Sequence, residues 1–122
     1  MAVTGMGGLF FRAKDPDALT KWYQEHFGIG GGAAWWHQQA GPTVFAPFKA
    51  DSDYFAADKA FMINLRVDDL AGMAEKLEAA GIDVIRKDEW DDDGSYGTFA
   101  RVHDPEGNAI ELWEPPAELP EA

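Results

Sequence analysis

Over residues 61–67 apolar and polar positions alternate: Phe61, Ile63, Leu65 and Val67 fall on one face, Met62, Asn64 and Arg66 on the other. This is a strand whose apolar face packs on a helix and whose opposite face meets more polar surroundings. The period then changes. Leu70, Met73, Ala74, Leu77 and Ala80 recur at helical spacing, Asp68 or Asp69 can cap the start, and Gly81 suits the stop. An earlier stretch repeats the plan. Residues 8–13 predict a strand; Asp15 with Pro16 behind it starts a helix; Leu19, Trp22, Tyr23 and Phe27 form its apolar stripe; Gly28 closes it.

The two stretches are copies of one unit. "RAKDPDALTKWYQEHFGI" begins at Arg12, and "RVDDLAGMAEKLEAAGI" begins at Arg66, 54 residues later. Strands are expected to follow each helix: residues 33–39 and 43–48 in the first half, and 83–87, 97–102 and 109–114 in the second. Asp104-Pro105-Glu106-Gly107-Asn108 has the turn chemistry to join the last two as a hairpin. Strand–helix–strands, twice over, predicts an α+β class.

Composition narrows the function classes. The chain has 122 residues, 46% of them hydrophobic, which fits one domain with a real core. The expected division is one domain over residues 1–115, made of two modules at about 3–58 and 60–115, followed by an acidic, Pro-rich tail at 116–122. There is no cysteine, which removes disulfides and thiolate chemistry and fits a cytoplasmic protein. No apolar run approaches the roughly 18 residues of a membrane span, and the opening "MAVTGMGG" lacks the features of an export signal. Net charge is −12, the opposite of a nucleic-acid footprint. Part of that charge lies in "DEWDDDG", residues 88–94, read as a solvated loop.

The markers "KDPDALTKWYQEHFGI", "NLRVDDLAGMAEKLEAAGIDV" and "DPEGNAIELWEP", in this order, resemble the vicinal oxygen chelate superfamily of glyoxalase I, extradiol dioxygenases and bleomycin-resistance proteins. The resemblance implies paired βαβββ modules whose curled mixed sheet encloses a cleft, and a homodimer by side-by-side or exchanged pairing of modules. It also implies four metal-ligand positions, on the first and last strands of each module. Carried over, these fall at Gly8, at Met62, within "TVFAPF" and at Glu111. Glycine has no side chain to donate, a thioether suits soft metals, and the third segment has neither imidazole nor carboxylate. Only Glu111 matches, so no metal or other cofactor is expected, with a divalent ion on a replacement set as the alternative. His26, His37 and His103 are the remaining imidazoles.

Strand parity gives the expected cleft lining: Phe10 and Arg12; Met62, Asn64 and Arg66; Phe99 and Arg101; Ala109, Glu111 and Trp113; and from the first half either Trp35 with His37 or Trp36 with Gln38. An aromatic lining with a few charges is the composition of a ligand pocket. The leading expectation is a metal-free protein that binds a small molecule, in one version a cationic aromatic one as bleomycin-resistance relatives do. The alternatives are a lyase, isomerase or dioxygenase-type enzyme with Glu111 as the best catalytic candidate, and an accessory module whose cleft is filled by its own side chains. Glu111 itself has three readings: a relict ligand position, a partner for Arg12, Arg66 or Arg101, or a general base or unusual metal ligand.

Overall fold

A computed structural model describes residues 1–30 and 35–119. The elements run in the order α1 (Pro16–Phe27), β1 (Ile63–Arg66), α2 (Leu70–Ala79), α3 (Asp88–Asp91), β2 (Thr98–His103) and β3 (Ala109–Glu114). The three strands form one mixed sheet in the order β1-β3-β2, β1 parallel to β3 and β2 antiparallel to it.

Both long helices start and stop where their capping residues stand. The Asp15 carboxylate accepts from the Ala18 N–H, Pro16 occupies the first turn, and Gly28 ends α1 in the left-handed region at φ 68°. Asp69, rather than Asp68, caps α2 by accepting from the Gly72 N–H. Leu19 and Tyr23 of α1 and Leu70, Ala74 and Leu77 of α2 are buried. They pack on the face of the sheet that carries Ala100, Val102, Ile110 and Leu112, all four fully buried. Each fully buried aliphatic side chain contributes about 1.5–3 kcal/mol.

Carboxylates of the second half tie this core to both helix entries. Glu106 accepts from the Lys14 and Asp15 N–H groups at 2.6 and 3.0 Å, just ahead of α1. Glu114 accepts from the Leu70 N–H at 2.8 Å, at the first turn of α2. Asp104, only 4% exposed, accepts from the Glu106 and Asn108 N–H groups, the Asn108 side-chain amide and, at 2.7 Å, the Tyr23 hydroxyl. The β2–β3 turn therefore holds α1 through a fully satisfied buried carboxylate. Burial, reinforced by this bond, pushes the Tyr23 hydroxyl well above its ordinary pKa.

The first half departs from expectation. Residues 8–13 and 43–48 form no strand. The expected strand at 33–39 begins in residues outside the described ones, and its remainder, 35–39, forms none. Their apolar side chains have no opposing strand to pack against: Phe10 is 94% exposed, Trp35 78% and Phe45 88%. In the second half, 83–87 contributes only an isolated bridge, from Ile85 to Arg101. Residues 88–91, expected as loop, form the short helix α3.

Replacing Tyr23 with Phe removes the hydroxyl donor from buried Asp104 and should lower unfolding free energy by about 1.5–3 kcal/mol, the range for bonds to charged groups. Urea denaturation measures it; a loss below about 0.5 kcal/mol, the size of a neutral surface change, would refute this role for Asp104.

Candidate functional site

The register fixes the other face of the sheet. Ile63, Ile110 and Val102 stand in one row, so Asn64, Glu111 and Arg101 make the next row on the opposite side. Leu65, Leu112 and Ala100 return to the core, and Arg66, Trp113 and Phe99 form the second row of the opposite face. Phe99 and Trp113 stack with centroids 6.3 Å apart, and the Trp113 indole N–H donates to the Tyr96 carbonyl at 2.6 Å.

Glu111 lies at the centre. Its Oε1 accepts from the Asn64 side-chain amide at 2.8 Å and its Oε2 from the Tyr54 hydroxyl at 2.6 Å. Neutral donors thus engage both oxygens. The reading that pairs Glu111 with a cleft arginine does not hold among the described residues, where the one ion pair is Arg86–Asp91. Arg101 is directly across the ladder from Glu111, but its guanidinium stacks instead, 4.7 Å from the Tyr54 ring and 5.0 Å from the Trp90 ring. Its Nη2 approaches Met62 Sδ at 3.7 Å, and its buried Nε has no hydrogen-bond partner among the described residues. Stacking on two rings holds a guanidinium without a carboxylate, at about 0.5–2 kcal/mol per contact.

A cavity of about 680 Å³ adjoins this row along the open edge of β1. Asn64, Arg66 and Trp113 line it from the sheet, Trp36, His37 and Gln39 from the first half. Arg66 closes its rim by donating to the Gln39 carbonyl at 2.7 Å, to the Pro42 carbonyl and to Thr43 Oγ1 at 3.4 Å. A side chain at Gly41 would meet that guanidinium at 2.9 Å, so glycine is what lets the segment lie against it. Residues 36–39 line the cavity consecutively; with no strand there, the choice between Trp35/His37 and Trp36/Gln38 does not arise, and Trp35 is not among the lining residues.

Other expected site residues lie elsewhere. Phe10 lines a smaller hollow with Leu9, Leu19 and Thr20, and Arg12 is exposed. His26 packs against Trp22 with ring centroids 5.1 Å apart, and His103 is exposed at the end of β2. No group of three His, Asp or Glu side chains among the described residues could hold a metal ion. The donor set therefore does not fit the metal centre the resemblance implies.

Tyr54 and Trp90 were not foreseen. Tyr54 lies in an irregular segment with no periodicity to assign it a face. Trp90 had one signal, a lone large aromatic in an acidic run, and α3 turns it onto Arg101. Burial, aided by the bond to Glu111, pushes the Tyr54 hydroxyl up to about 12; the nearby Arg101 charge opposes this without cancelling it.

A family model described as a glyoxalase-like domain matches residues 8–113. No curated protein matches the chain.

Both Tyr23 and Tyr54 have pKa values raised above the ordinary 10.0. A raised pKa means the folded state keeps a proton that the unfolded state releases. The stability this confers is fully present below pH 10.0 and, for Tyr54, is lost as pH climbs to about 12. Ultraviolet titration should thus show at most one tyrosinate of the three tyrosines while the protein stays folded at about pH 11, midway between those limits. Two or three tyrosinates in a folded sample would refute the Tyr54 environment.

Proposed function

The chain belongs to the glyoxalase-like domain family of the vicinal oxygen chelate superfamily, and from that premise we propose that it is a metal-independent protein that binds a small aromatic molecule on the face of its sheet opposite the core. The observation that carries the proposal is the state of Glu111. It is the one ligand-type residue at the four family positions, and its two oxygens are held by Tyr54 and Asn64. Capturing a divalent ion there would mean breaking two hydrogen bonds to a charged group and still leave a single protein ligand. What the open edge of β1 offers instead is a roomy cavity with Trp36, Trp113, Arg66 and Asn64 among its walls and Leu65, Met73 and Phe27 on its helix side, which is the make-up of an organic ligand site.

The cationic-aromatic version draws support from the net charge of −12 and the Trp-lined wall. Against it, the aromatic pair Tyr54 and Trp90 already holds a cation of the protein's own, Arg101. A neutral aromatic ligand suits that arrangement better.

A second reading, an enzyme, has one specific observation in its favour: the Tyr54 hydroxyl donates to Glu111 at 2.6 Å beside a guanidinium. In that reading Glu111 takes a proton from a substrate, with Arg101 stabilising the charge that develops. The filled-cleft reading draws on the same Tyr54, which covers part of the face.

The partner is proposed to include a second copy of the chain. Support lies in the apolar side chains at residues 35–48, with Phe45 88% and Val44 68% exposed, a load that a monomer rarely leaves in water. Cytoplasmic location remains part of the proposal; no helix among the described residues is long and apolar enough to cross a membrane.

Metal, ligand and assembly measurements test this. Elemental analysis and titration with zinc, nickel and manganese should find no stoichiometric ion. An aromatic fragment panel followed by thermal shift should yield binders whose effect falls at least about 10-fold in Trp36→Ala, as for loss of a stacking wall. A tightly held stoichiometric metal, or a panel without a single binder, overturns the reading. Sedimentation should show a dimer that Phe45→Ser weakens; a monomer across the micromolar range contradicts the second-copy proposal.

A further inference from the structure

Glu111, Arg101 and Trp90 form a recognition surface that needs something from outside the sheet and α3 to complete it, and Tyr54 supplies it. The Tyr54 hydroxyl donates to Glu111 Oε2 at 2.6 Å, while its ring lies 4.7 Å from the Arg101 guanidinium and 6.3 Å from the Trp90 ring. An anionic acceptor at one end, a cationic plane against the ring and an aromatic wall are what a hydroxylated aromatic ring needs to be recognised. All three belong to β2, β3 and α3, so their backbone positions do not depend on Tyr54.

Tyr54 itself rides on residues 49–59, which contain turns and no strand. The remaining hydrogen bonds of this segment are nearly all internal: Ser52 N–H to the Lys49 carbonyl, Tyr54 N–H to Ser52 Oγ, Lys59 N–H to the Ala56 carbonyl. Among the described residues only the Tyr54 hydroxyl and Lys59 Nζ, donating to the Glu106 carbonyl at 3.2 Å, hydrogen-bond to the rest of the molecule. A segment with so few anchors is drawn from the low-stability end of the fold.

We infer that Tyr54 is a tethered occupant of a phenol subsite, and that a ligand carrying a phenolic ring displaces it, setting its own hydroxyl on Glu111 and its ring against Arg101 and Trp90. The inference rests on the small-molecule reading above and narrows it to a ligand class. The exchange conserves the hydrogen bond and the stacking, so the barrier to binding is competition. A tethered group acts at an effective concentration on the order of millimolar, and a free ligand must exceed it. The buried Arg101 Nε, which has no acceptor among the described residues, gives an incoming ligand a donor.

Calorimetric titration with p-cresol, and with 4-methylanisole as a ring of the same shape that lacks the donor, separates a competitor from a contact. p-Cresol should bind Tyr54→Ala at least about 10-fold more tightly than the unaltered protein, because the occupant is gone. Tyr54→Phe, which keeps the ring and the packing but frees Glu111, should fall between them and guards against a misfolded alanine variant. In Tyr54→Ala the anisole should bind at least about 10-fold more weakly than p-cresol, the size of a lost bond to a charged acceptor. Adding Glu111→Ala should erase that difference. Weaker p-cresol binding in both Tyr54 variants, or equal binding of the two probes, overturns the inference. If aromatic fragments still bind with Trp36 dependence, the small-molecule reading survives that result; if no aromatic probe binds any variant, both fall.

Discussion

Everything on the face opposite the core follows from β3 being paired on both sides. With β1 on one edge and β2 on the other, β3 cannot slip by one residue without turning Ile110 and Leu112 out of the core. Those two side chains are fully buried under both helices. Glu111 between them is therefore forced onto the opposite face, in line with Asn64 and Arg101. The hydrophobic core sets the position of a carboxylate that it never touches.

A half-buried carboxylate must be satisfied, and two solutions were open. A metal ion or an arginine would neutralise the charge; neutral donors would solvate it in place. Tyr54 and Asn64 are the donors on Glu111, in the role of solvent substitutes. That arrangement leaves Arg101 to find its own environment, which it does on the faces of Tyr54 and Trp90. Acid and base share one row of the sheet, yet each is stabilised by neutral groups. Asp104 repeats the logic on the core side, where Tyr23, Asn108 and backbone N–H groups surround a carboxylate that has no cation among the described residues.

The second half of the fold was legible because its signals were local and mutually consistent. Alternation over 61–67, the Asp69 cap and the Asp-Pro turn each dictate one element, and the faces of β1, β2 and β3 follow from parity. The first half was legible in α1 and not in its strands. Residues 8–13 and 43–48 have strand composition, but a strand needs a partner, and pairing is not written in one segment's own sequence. Within the site, parity named Asn64, Arg101, Glu111 and Trp113, whereas Tyr54 reaches Glu111 from an irregular segment 57 residues away. Of the three readings of Glu111, the arginine partner does not hold among the described residues, because cation–π stacking competes for the guanidinium and cannot be read from residue counts.

The central proposal is that Tyr54 and Asn64, and no metal ion, hold Glu111. Proton NMR tests it most directly. A hydroxyl donating at 2.6 Å to a part-buried carboxylate should appear, at about 0 °C, as a low-field resonance. It should vanish in Tyr54→Phe, show a contact to the Glu111 side chain, and stay unchanged when stoichiometric zinc is added. Absence of the resonance in the unaltered protein, or its loss on adding zinc, would contradict the account.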